Sequence, residues 1–240
     1  HTEYIDHRSS IKPLVETLTK LDKKTELVRV NPPTFNQLET ELQTAKMESR
    51  PFHILHFDGH GEFDRTKGKG TLCFEHQLEL KGEFQRPKQN IDTKQLEQLL
   101  TINPVPLVFL EACQTAKSEA DPSTSVATAM LQAGASSVVA MSHNVLVETT
   151  RRFVSAFYGQ LAAGKRVSAA VTAGRRALIE NAHRAHVVGA GTLQMQDWFV
   201  PVLYQHETNP HLFTGGAKNT KIEHHPFLLG ELPQNLNHTG

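Results

Sequence analysis

Two cysteines, Cys73 and Cys113, are all that the 240 residues hold, too few for a disulfide scaffold. Charge of one sign is missing as well, with 25 Lys and Arg against 25 Asp and Glu. That balance excludes, as a global property, a strongly basic nucleic-acid binder and an acidic tail protein. No apolar run approaches the roughly 20 residues of a membrane span, and no signal-peptide pattern opens the chain. There is no G-x-x-x-x-G-K-S/T phosphate loop, so ATP hydrolysis is not expected of this segment. Internal repeats and low-complexity tracts are also absent. The expectation is a soluble, cytoplasmic protein with reduced thiols and no direct contact with nucleic acid or membrane. The chain starts at His1 and not at Met, which reads as an amino terminus removed or cut.

What is present suffices for a sizeable core, since hydrophobic residues make up 38% of the chain. Ile11, Leu14, Val15, Leu18 and Leu21 recur at helical spacing and predict a helix over 9–21. A short strand is expected at Glu26–Val30. Thr34, with Gln37 three residues on, predicts a capped second helix. Asp92 with Gln95 predicts a third, with Ile91 and Leu96 placed as a hydrophobic staple. His53–Asp58 and Val105–Glu111 read as buried strands, the second continuously apolar. Residues 62–90 read as a hairpin and a long loop, with one credible strand at Thr71–Glu75. Further on come a helix at about 123–133 stopped by Gly134, a strand at Ser137–Met141, two amphipathic helices, and a last strand at Phe199–Tyr204. Strands that alternate with helices and are apolar throughout predict an α/β domain with a mostly parallel sheet and helices on both faces.

In such sheets the reactive groups collect at the carboxyl ends of strands. Two places stand out: His60 just after one strand and Cys113 just after another. A thiolate attacks a carbonyl carbon, and an imidazole protonates the leaving amine or activates water. Gly61 leaves the adjoining backbone open, so N–H groups at Gly61 and Cys113 are candidates for an oxyanion hole. His60 precedes Cys113 by 53 residues, close to the separation of about 50 in caspases. His53, His56 and His60 suggest a metal site at first sight. Residues three apart on a strand point to opposite faces, however, so no metal is expected there. No cofactor is expected either. Cys73, in a hairpin-like strand with no histidine motif, reads as packing, and Asp197-Trp198 reads as a structural anchor.

The segments HILHFDGHGEFD, VPLVFLEACQTA, ASSVVAMSHNVLVETTRRFVSAFYGQLAAG and DWFVPVLYQ together resemble the CHAT domain, a caspase- and separase-like cysteine peptidase family. The resemblance covers roughly residues 26–205. It implies a caspase-like fold, His60 and Cys113 as the catalytic dyad, and Gly61 as the oxyanion donor beside Cys113. It also puts Glu111, two residues before the cysteine, in the pocket for the side chain preceding the cut bond. A carboxylate there favours Arg or Lys, and Asp58, two before His60, adds to the negative field. The family often carries Trp where this chain has Ser142-His143, so the substrate wall differs there.

The function expected is a cysteine endopeptidase acting on protein substrates after a basic residue. The alternatives are a catalytically silent CHAT-like scaffold module and another Cys–His acyl-transfer enzyme. The peptidase domain is expected over 1–205, its amino edge lacking a central strand. Residues 206–240 are expected to be a linker toward a regulatory sensor module, a nucleoside triphosphatase or a repeat domain. The chain would then be the proteolytic effector of a larger signalling or defence protein.

Overall fold

The computed structural model describes residues 15–16, 25–64, 68–76, 78–80, 83–85, 87–112, 125–143, 146–187, 191–206, 209–210, 212 and 225–231. Cys113 lies outside them, as does the helix expected over 9–21 apart from helical residues 15 and 16. In chain order the first elements are β1 (Thr25–Arg29), α1 (Phe35–Met47), β2 (Ile54–Gly59), β3 (Gly61–Asp64) and β4 (Lys69–Glu75). Next come β5 (Leu78–Leu80), β6 (Glu83–Gln85), β7 (Lys88–Asp92), α2 (Thr93–Ile102) and β8 (Leu107–Ala112). The second half holds α3 (Val126–Gln132), β9 (Ser137–Met141), α4 (Val147–Ala162) and α5 (Val167–Glu180). It ends with β10 (His183–Val187), β11 (Gly191–Gln194), β12 (Pro201–Gln205) and β13 (His225–Glu231).

The helices begin where the side chains can satisfy the first backbone donors. Asp92 accepts from the Gln95 N–H at 3.0 Å, and the Gln95 amide accepts from the Asp92 N–H at 3.3 Å, completing the expected box. Ile91 and Leu96 are buried in the same core. Thr34 caps α1 through the Gln37 N–H at 3.1 Å, but the Gln37 side chain turns forward to Glu41 at 2.8 Å. Gly134 and Gly164 follow α3 and α4 with φ of 110° and 77°, the left-handed turn that glycine adopts without penalty.

A six-stranded sheet in the order β1-β13-β2-β8-β9-β12 forms the centre. Its first five strands are parallel, and β12 runs antiparallel on β9. Alternation along β2 and β8 sends Leu55, Phe57, Val108 and Leu110 into a core with α1, α2 and α3. The opposite parity sends Ile54, Leu107 and Phe109 against α4 and α5. Both faces are covered, which explains why these strands read as unbroken apolar runs. The α4–α5 pair is close enough that a Cβ built on Gly174 would lie 2.6 Å from the Phe153 ring.

The structure departs from the expected layout in three places. Residues 206–240 are not linker throughout: His225–Glu231 pair in parallel with β1 on one side and β2 on the other. The short Phe227-Leu228-Leu229 run, bounded by Pro226 and Gly230, is an apolar strand signal too brief to stand out in a polar tail. Residues 62–90 hold more strand than expected, with an antiparallel sheet β3-β4-β7 and a β5-β6 hairpin. The β10-β11 hairpin was likewise not anticipated. These strands are short and polar, without the alternation that marks a half-buried strand.

Candidate active site

The strand ends define the site. In β2 and β8, Asp58 is paired with Glu111 and Gly59 with Ala112. His60 is the next residue after Gly59, and Cys113 the next after Ala112. The residues that precede His60 and Cys113 in the sequence are therefore paired on adjacent strands, whose spacing is about 4.8 Å. On the far side of β8, β9 ends at Met141, directly before Ser142-His143.

His60 is half-buried, and its carbonyl accepts from the Cys73 N–H at 2.9 Å, which seats it on β4. Burial lowers the His60 pKa, the nearby Lys88 ammonium lowers it further, and Glu62 opposes them. The imidazole is thus biased toward its neutral, proton-accepting form. Burial alone would raise the Glu62 carboxyl, but hydrogen bonds from Lys88 and from Asn90 (3.0 Å) outweigh it and hold the group below its ordinary value. Gly61 opens β3 and is paired with Leu72 of β4.

Cys73 is buried, and its thiol lies 3.2 Å from the Asn90 side-chain oxygen. Burial pushes this thiol up to about 11, the setting of an inert structural cysteine.

Glu111 and Asp58 are brought together on the α4–α5 side of the sheet, both largely buried. Two residues of this cluster were not anticipated in this role. His56, 2% exposed, has Nε2 at 3.2 Å from the Glu111 carboxyl and Nδ1 at 2.8 Å from the Tyr158 hydroxyl. Its ring stacks on Phe109 at a centroid distance of 4.6 Å. His56 shares the face of Asp58 by strand parity, a signal available in the sequence. Tyr158 sits on α4, and no local pattern points to it. Burial raises the Glu111 carboxyl to about 8. Burial lowers His56 to about 4, against the opposing pull of Asp58.

Ser142 and His143 follow β9 in the chain. The Ser142 N–H and hydroxyl both donate to the Val200 carbonyl at 3.0 Å, and the hydroxyl lies 2.9 Å from His143 Nδ1. His143 meets Phe199 edge-on, and Trp198 and Phe199 are exposed beside it. Asp197, just before, is an anchor. Arg184 Nε donates to both its oxygens at 3.1 Å, Arg184 Nη2 reaches the Leu178 carbonyl, and the Thr149 hydroxyl donates to the same carboxylate.

A family model described as the CHAT domain matches residues 9–227. The chain belongs to the CHAT domain family. This is a caspase-like cysteine peptidase family, and the CHAT match extends past residue 205 to the start of β13. Among curated proteins none matches the chain. Among the described residues of this CHAT domain, no helix is long and apolar enough to cross a membrane.

The Arg184–Asp197 pair carries a prediction for this part of the CHAT domain. Asp197→Ala leaves the Arg184 guanidinium, wholly buried in its side chain, without its carboxylate. Removing one partner of a buried pair costs about 3–5 kcal/mol. Urea unfolding of the variant is expected to show that loss; a change below about 1 kcal/mol would contradict the anchoring role.

Proposed function

We propose that the chain is a cysteine endopeptidase in which Cys113 is the nucleophile and His60 the acid/base. The observation that supports this reading is the register of β2 and β8, which pairs Gly59 with Ala112, the residues that precede His60 and Cys113 in the sequence. Membership of a caspase-like peptidase family supports it. In the first step His60 takes the Cys113 thiol proton and the sulfur attacks the scissile carbonyl carbon. The carbonyl electrons move to oxygen, and backbone N–H groups at Gly61 and Cys113 bind the oxyanion. Collapse of this intermediate expels the amine, which takes the proton held by His60, and leaves a thioester. Water, deprotonated by His60, then hydrolyses the thioester and restores the thiol.

The carboxyl groups of Glu111 and Asp58 form the floor of the pocket for a basic residue, and Ser142-His143 line the adjoining wall. A planar guanidinium suits such a floor because it pairs with carboxylate through two hydrogen bonds. On the family resemblance alone, the reading extends to a cytoplasmic effector domain governed by a sensor module in the same protein or an associated one. The test is a fluorogenic peptide library varied at the residue before the cut bond. Cleavage after Arg and Lys, abolished by thiol alkylation, is expected. Preference for Asp at that position would refute the basic pocket, and cleavage insensitive to alkylation would refute the dyad.

A further inference from the structure

The Tyr158–His56–Glu111 chain is not used by the acid/base chemistry above, yet it buries three polar side chains between β2, β8 and α4, beside the rings of Phe109 and Phe157. Tyr158 is 1% exposed and closes the inner end from α4. Phe109 holds the imidazole flat from β8. Only at the outer end, where the Glu111 side chain is 9% exposed, does the chain approach the strand termini. Burying such groups without a full set of hydrogen bonds is costly.

We propose that His56, held by Tyr158, is the positioning residue for Glu111, and that the three form a proton relay. In it the Glu111 carboxyl lies neutral when alone and becomes charged, with loss of one proton, when a basic side chain enters. This rests on the reading of Glu111 as the pocket floor.

A neutral imidazole carries one N–H and one lone pair, and a phenol hydroxyl can either donate or accept. With Glu111 protonated, its O–H donates to His56 Nε2, and the Nδ1–H donates to the Tyr158 oxygen. When the carboxyl loses its proton to solvent, its oxygen would face the Nε2 lone pair. The imidazole then takes its other tautomer, losing the Nδ1 proton and gaining one at Nε2 by exchange with solvent, so that Nε2–H donates to the carboxylate while the Tyr158 O–H turns and donates to Nδ1. The Glu111–His56 and His56–Tyr158 hydrogen bonds are kept in both states, and the protein gives up one proton. Phenylalanine at 158 would break the chain in one state or both.

Among the described residues, the surroundings of Glu111 favour the neutral form until a cation arrives, because burial in this core penalises the charged carboxyl. His56 is held neutral by burial, so it supplies no compensating charge. From α4 comes the neutral phenol of Tyr158, and from β9 come Val139 and Met141, which are apolar. The helix α5 contributes Val167, Ala170, Val171 and Leu178 to this side. An incoming guanidinium or ammonium supplies a positive charge that favours the ionised carboxyl.

The experiment is calorimetric titration of the full chain with agmatine, a guanidinium probe without a peptide bond, in buffers of different ionisation heat. Near pH 7 about one proton is expected to leave per agmatine bound. Affinity is expected to rise about tenfold per pH unit below the carboxyl midpoint and to level off above it. His56→Gln offers the carboxylate a fixed N–H donor and no proton to exchange. Its proton release is expected to fall below half, with a flatter pH profile. A merely structural His56 would change stability and leave the proton count at one, which would overturn the relay. Agmatine binding to the unaltered chain without proton release would also overturn it, whether or not the variant folds, and would leave basic recognition standing. Failure of agmatine to bind, with thiol-dependent cleavage only after uncharged residues, would remove the pocket reading and this inference with it.

Discussion

Cys113→Ala is expected to lower peptide cleavage by about 10⁴-fold or more, the scale on which covalent catalysis is lost when its nucleophile is removed. His60→Ala should fall by a similar factor, and the double variant should fall little further. The two residues act on one proton and one bond, so losing either ends the same pathway. The other thiol offers no substitute. Cys73 is 1% exposed and its thiol is pushed up to about 11 by burial, so at neutral pH roughly one molecule in 10⁴ carries the thiolate. Cys73→Ser should therefore retain cleavage within a few-fold if it folds. The check is kcat/KM on an Arg-containing fluorogenic peptide. More than about 1% residual activity in Cys113→Ala would sink the assignment.

Glu111→Gln is expected to act in opposite directions on cleavage and on stability. The amide keeps the shape of the carboxyl but cannot ionise. Loss of the charged partner of a buried cation costs about 3 kcal/mol, or about 100-fold in kcat/KM for Arg substrates. Substrates with an uncharged residue at that position should change far less.

For stability, the folded carboxyl titrates at about 8 against about 4.5 ordinarily. Between those values the folded chain holds a proton that the unfolded chain has lost, so stability falls as pH rises through this window. Glutamine removes that slope. The variant should gain on the parent by a few kcal/mol between pH 5 and pH 8. His56 has the opposite sign: its folded value of about 4 lies below the ordinary 6.5, so it raises stability with pH across that range. It does so in both proteins, and the difference between them isolates Glu111. Urea unfolding at pH 5, 7 and 8.5 reads the effect. A variant equally destabilised at all three would show that Glu111 is held for packing and not against its charge. A group retained at such a cost is typical of a functional site.

Much of this was legible in the amino-acid order, because it depends on neighbours in the chain. Caps such as Asp92 with Gln95, the parity that puts Asp58 and His56 on one face, and the apolar strand ending just before Cys113 are all local. They suffice for an α/β sheet covered on both faces, and they mark His60 and Cys113 as the residues at two strand ends. Local order does not say which strands are neighbours or how far each is shifted. The tertiary structure pairs Gly59 with Ala112, and it inserts β13, from a tail with no evident periodicity, between β1 and β2. It also joins His56 to Tyr158 across 102 residues and to Glu111 across 55. Backbone pairing and helix packing at that separation are settled only when the whole core is buried at once, since no short segment gains from them alone.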